Sequence, residues 1–331
     1  MADRIRKINA DTRTTLNILQ RDDFAGGTSD INGMDVAADG TIYCTDYDNY
    51  VIYKIYPSGT VNGVLAGKIG LTGDIEQSGV QSVQAYTVGT AGPARFHDPI
   101  GICIDASDNI YMADQTNSKI KRVSPSGRVK WLAGTGAAGD AVNDDGRLAA
   151  FDGLRGMCVD LSGNIYVADM LNHKIKKIYP SGKTVLLAGS VAGFNNGNGT
   201  TARFNLPRDV CVDPSGNVYV VDAFNNCIRK IDQSGNVTIL AGGASGAGTS
   251  GYTDNNDGSL VRFDNPSRVA MGVNGSFMYV MDMDNSAIRK VELSGKTTTF
   301  MHYRHDGAWS GDICVDKSGI LYILEENNGG L

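Results

Sequence analysis

The sequence predicts an all-β fold in which six four-stranded antiparallel units close into a ring. Three observations carry this. One phrase recurs in six copies; each copy holds four short apolar runs parted by turn residues; and the sixth copy is split between the two ends of the chain. Self-similarity at a fixed period sets the architecture before any single motif does.

The phrase is clearest at Gly156–Gly189, GMCVDLSGNIYVADMLNHKIKKIYPSGKTVLLAG. Other copies start at Gly33, Gly101 and Asp209, and a weaker one runs from Val269 to about Met301. The last starts at Gly311 (GDICVDKSGILYILEENN) and stops halfway; its missing half is at the front, as RIRKI at Arg4–Ile8 and TTLNIL at Thr14–Leu19. Within a copy, MCVD, NIYVAD, KIKKIY and TVLLAG are β-branched runs, and Ser162–Asn164 and Pro180–Gly182 between them are tight-turn chemistry. One such meander cannot cover its own faces, so the copies stack around an axis as a six-bladed β-propeller. The blades expected are 31–67, 99–134, 154–189, 207–242, 267–301, and 311–327 joined to 4–20, in one domain over 1–331.

Composition narrows the classes. The chain has 331 residues, 41% hydrophobic, with 42 Gly, as turn-rich repeats require, and a net charge of −6 that argues against a general nucleic-acid binder. No apolar run is long enough to span a membrane. Strand residues begin at Ile5, which leaves no room for a secretory leader. The expected location is therefore the cytoplasm or a virus particle. Cys103, Cys158, Cys211 and Cys314 each stand two residues before a first-strand Asp, or its equivalent turn, and read as buried free thiols. Cys44 and Cys227 sit elsewhere, and no Cys-x-x-Cys pair exists.

These residues resemble the NHL-repeat propeller family. The likeness rests on G-[IMV]-x-V-D-x-x-G-N-[IV]-Y-V-A-D-x-x-N-x-[KR]-I-[KR]-[KR]-[IV], best matched at 156–178 and 209–231, and on A-R-F-x-x-P at Ala94–Pro99 and Ala202–Pro207. It covers nearly the whole chain. It implies the fold, and it implies several functions at once, because such propellers bind proteins, RNA or ligands and some relatives are lyases or lactonases.

The polar positions of the phrase read as structural. Asp46, Asp114, Asp169, Asp222, Asp282 and Glu325 close the second strands, one per blade, and fix a turn rather than ring a metal. The third-strand cations are spread around the ring, so they form no single nucleic-acid patch. His302 and His305 could share an ion but lack a third ligand. Asp144-Asp145-Gly146 and Asp254–Gly258 are acidic turns without EF-hand spacing. No cofactor is expected, calcium being the ion left open, and no catalytic residue is assigned.

Positions that vary between blades are the candidate site. Residues entering the innermost strands ring the channel mouth, and there Arg155, Arg208 and Arg268 come from three successive blades, with Asp209 and Asp312 beside them. The long connections 68–98, 135–153, 190–206 and 243–266 should share that face and supply binding loops. Tyr303 and Trp309, in HYRHDGAW, suit a glycan or a protein hot spot, or plug the gap left where A-R-F-x-x-P is missing. The expected function is a non-enzymatic recognition or assembly module for a protein or glycan, such as a phage virion component. A channel-metal lyase or lactonase and an RNA-binding propeller are the alternatives.

Overall fold

The computed structural model describes residues 2–20, 30–75, 94–243, 248–303 and 311–327. Its strands form six antiparallel sheets. Blade one runs from Ile31–Val36 to Val61–Gly67, blade two from Pro99–Ile104 to Val129–Ala133, and blade three from Leu154–Val159 to Thr184–Gly189. Blade four runs from Pro207–Val212 to Asn236–Ala241, and blade five from Pro266–Met271 to Thr297–His302. Blade six is ordered Thr15–Gln20, Ala2–Asn9, Ile320–Asn327, Asp312–Val315. The split repeat therefore closes the ring, with pairing from Ala2 opposite Asn327 to Asn9 opposite Ile320. Among the described residues, no helix is long and apolar enough to cross a membrane.

No single core exists. Strands alternate their side chains between the two faces, so each sheet feeds two interfaces, and the buried apolar residues fall into six clusters, one between each pair of neighbouring blades. The cysteines serve here as small apolar residues: none is bonded to another, and all are buried except the half-buried Cys158.

The conserved-looking polar residues of the phrase are consumed by two internal devices. The first clamps the turn between strands one and two. Asp105 accepts from the Asn109 amide and from the Tyr111 hydroxyl, at 2.9 and 3.0 Å. Asp160 with Tyr166, Asp213 with Tyr219 and Asp316 with Tyr322 repeat the hydroxyl bond at 2.9–3.1 Å. That is why the phrase reads Asp, then Gly-Asn, then Tyr.

The second device anchors the connection between blades. In A-R-F-x-x-P the Phe is a plug: Phe96, Phe151, Phe204 and Phe263 are fully buried between successive blades. The third-strand cation lies over the ring, as Arg229 over Phe204 at 5.4 Å and Lys176 over Phe151 at 5.1 Å. It also donates to the carbonyl just before the Phe and pairs with the Asp that ends strand two. Arg229 thus reaches the Arg203 carbonyl at 3.2 Å and Asp222 at 2.9 Å. Asp222 in turn accepts from the Asn205 and Asn225 groups at 2.7 and 2.8 Å. Lys121 with Asp114, Lys176 with Asp169 and Arg289 with Asp282 are the same pair, both members fully buried. Blade six substitutes Arg6 and Glu325, and blade one places Tyr53 at the cation position.

Candidate functional site at the channel mouth

Inner strands approach so closely around the axis that three blades enter with glycine. A Cβ on Gly33 or Gly101 would lie 2.0 or 2.2 Å from the next blade's carbonyl oxygen, of Ile100 or Arg155, and one on Gly156 1.8 Å from the Asp209 carboxylate. Blades four to six enter with charge instead. Asp209 accepts from the amides of Val210 and, across the blade boundary, Val269, at 2.8 and 2.9 Å. Asp312 accepts from Ile313 and Met34 at 2.9 and 2.7 Å, and Arg268 Nε lies 3.4 Å from it. Deeper in the channel, Asp35 joins Val36 to Ile104, each at 2.8 Å. These three carboxylates staple neighbouring inner strands, and burial drives the pKa of Asp35 and Asp209 up to about 7 and that of Asp312 to about 6.

Just before these positions the inner-strand register shifts, between Leu154 and Met157, Pro207 and Asp209, and Pro266 and Arg268. A bulge re-aims the side chain at the extra residue, and here it turns Arg155 and Arg208 to the mouth. Together with Arg268, Ser267, Met170, Leu206 and Phe224 they line a cleft of about 150 Å³. Arg208 and Arg268 are each 5% exposed. Burial and then the Arg268 charge pull the pKa of both Arg155 and Arg208 down to about 10, and Arg155 adds to the effect on Arg208. The cleft is thus three mutually repelling cations against an apolar wall.

Of the residues predicted from sequence, Arg155, Arg208 and Arg268 converge in this cleft, with Asp312 bonded beneath Arg268 and Asp209 bonded to the inner strands. Tyr303 does not present a surface: it is buried in the cluster between blades five and six. Trp309 lies outside the described residues. Leu206 was missed. It has φ +49° where the corresponding residues are Asp98, Gly153 and Asn265, all residue types that tolerate positive φ.

Three of the long connections, 135–153, 190–206 and 243–266, run outward and seal the outer edge of the following blade; the middle of 68–98 lies outside the described residues. Asn143 bridges Thr184, Gly197–Asn198 adds a fifth strand beside Asn236 and Val237, and Asn255 bridges Thr297. Unpaired edges invite association, so this is a protective use. The acidic turns belong to it. Asp145 and Asp257 cap 3-10 turns by accepting from Arg147 and Ser259 amides, and Asp254 pairs with Arg289. Asp74 and Asp140 reach third-strand lysines in the same way. Among the described residues, no group of three or more His, Cys, Asp or Glu is spaced to hold a metal ion.

Comparison with known proteins agrees with this architecture. Residues 204–231 match the family model of the NHL repeat. Over 301 residues the chain is 27% identical to NHL repeat-containing protein 2 of Bos taurus, covering 83% of this chain and 40% of that protein. The chain spans less than half the length of the curated relatives it matches. Among solved structures, a chain of a nidogen/laminin complex is similar with TM-score 0.59 at 17% identity, covering 93% of this chain and 95% of that one. A streptogramin B lyase is similar with TM-score 0.55 at 11% identity, covering 99% of both. At such identities the likeness is one of fold.

Proposed function

We propose that this chain, a six-bladed β-propeller built of NHL repeats, is a recognition module that binds a protein partner on the face carrying its channel mouth. The observation that carries this reading is the cleft of Arg155, Arg208 and Arg268. The Asp, Asn and Tyr of the strand one–two turns and the buried third-strand cations are consumed in holding the fold, whereas these three arginines break the repeat and converge on one spot. Beside them, Leu171 and Phe224 are 50% and 49% exposed on neighbouring blades, the kind of apolar-cationic pairing that supplies interface anchors. A propeller of similar fold is a chain of a nidogen/laminin complex, which is in keeping with protein recognition.

The alternatives fit less well. A channel lyase needs groups free to act on a substrate, yet Asp35, Asp209 and Asp312 each already accept from two backbone amides. An RNA-binding stripe needs its third-strand cations together at the surface, yet Lys121, Lys176, Arg229 and Arg289 are fully buried, and the part-exposed Arg122, Lys177, Lys230 and Lys290 are spread one to a blade. A glycan platform built on Tyr303 and Trp309 would lose its first member to burial, and Trp309 lies outside the described residues. Occupancy by calcium and a cytoplasmic or virion location are separate proposals, tested by metal content and by fractionation.

The test compares faces. Crosslinking capture is run with the wild type, with Leu171→Asp/Phe224→Asp on the mouth face, and with Leu161→Asp in a strand one–two turn on the opposite face. A partner held by the wild type and by Leu161→Asp but lost by the double variant supports the reading. Equal capture by all three refutes the assignment of the face.

A further inference from the structure

We propose that the arginine cleft takes a carboxylate carried on an apolar body, namely an acidic side chain next to a hydrophobic residue in an exposed segment of the partner. The proposal rests on the recognition reading above and names the chemistry of its site. Three blades contribute one guanidinium each, and the charges oppose one another even with Asp312 beside Arg268 and Asp284 acting on Arg208. Arg155 Nε is buried and makes no hydrogen bond among the described residues. An anion would relieve the repulsion and satisfy that donor, and the guanidinium fork matches a carboxylate.

The rest of the cleft restricts what carries the anion. Its volume of about 150 Å³ equals roughly five water molecules at ~30 Å³ each, room for one side-chain group. Apart from Ser267, its remaining wall is Met170, Leu206 and Phe224, with the Arg208 guanidinium 5.6 Å from the Phe224 ring centre. Leu206 is held at φ +49°, a cost of about 1–2 kcal/mol for a side chain of ordinary handedness. Strain of this kind persists at sites that use it, and its effect here is to set an apolar group into the cleft. The same face carries Asp30, Asp48 and Asp98 on blades one and two and Asp264 and Asp284 on blade five, four of which, Asp30, Asp48, Asp98 and Asp284, raise a neighbour's pKa by their charge. A polyanion laid across the ring would meet those carboxylates; a single acidic residue with an apolar neighbour would not.

The test titrates the full chain with N-acetyl-glutamyl-leucinamide, its glutaminyl counterpart, and inorganic phosphate. Affinity is read by calorimetry and the arginine Nε–H signals by NMR. The glutamyl probe should saturate and shift the Arg155 signal, and the glutaminyl probe should not. Arg155→Gln should weaken the glutamyl probe by about tenfold, the size of one charged hydrogen bond, with an unchanged backbone amide spectrum. Leu206→Asn should weaken it while leaving phosphate unaffected. Equal binding of the two peptides, no saturation at millimolar probe, or phosphate binding more tightly than the glutamyl probe would each overturn the proposal. If a partner is captured through the mouth face but binds Arg155→Gln as well as the wild type, the recognition reading stands and the carboxylate assignment falls.

Discussion

Leu206 shows how one residue can set fold and site against each other. Replacing it with Asn, as at the corresponding Asn265, should raise stability by about 1 kcal/mol by relieving the positive φ, measured by urea unfolding. A loss of stability would show that its packing outweighs the strain. The three arginines were legible in the sequence because repeats aligned on their core expose the positions that differ. Leu206 was not, since a Leu before Pro in a linker carries no sign of its backbone angle. A second consequence concerns protons. Asp35 and Asp209 have pKa values raised to about 7, and Asp46, Asp222, Asp282 and Asp312 to about 6, burial being the largest cause in each. A carboxyl that holds its proton more tightly when folded stabilises the fold at low pH and loses that contribution as pH rises through its folded pKa. Carboxylates with lowered pKa, such as Asp105 and Asp160, act oppositely, below the ordinary carboxylate value of 3.8. Thermal stability should therefore rise on acidification from about pH 7 to about pH 5 and fall at strong acidity, and Asp35→Asn should flatten the rise. A steady fall in melting temperature from neutrality downward would contradict this account.

At the level of the element, the inter-blade connection is the part whose purpose the sequence conceals. Its Ala-x-Phe segment was visible as a motif, but not as a plug, because the partners that define a plug come from both blades. Its long Gly- and Asn-rich stretch reads as a loop because Gly197–Asn198 has no strand propensity; the outer edge of blade four recruits it regardless. Phe204→Ala should cost about 3–5 kcal/mol as a core cavity. Arg229→Met should cost a comparable amount, since Asp222 is left buried beside an uncharged neighbour. Both are read by chemical denaturation, and a change below about 1 kcal/mol in either would mean that the connection is held by something else.

Across the whole molecule, the split repeat was the most readable feature, and the pairing of Ala2–Asn9 with Ile320–Asn327 has the predicted partners. Deleting residues 1–20 should expose the Ile320–Asn327 edge and the blade-one face that Ile5 and Leu19 cover. The expected result is an aggregating protein in light scattering, and a soluble, cooperatively unfolding product would count against it. The same pairing imposes a schedule on synthesis. More than three hundred residues separate Asn9 from its partner Ile320, so at ~5–20 residues per second the leading strands of this propeller wait roughly 15–60 s for theirs. During that interval Ile5 and Leu19 can reach blade one, whereas Ile8, whose neighbours lie in blades five and six, has only non-native surfaces to touch, and the chain is a client for whatever cellular factor shields apolar segments until Ile320–Asn327 has emerged.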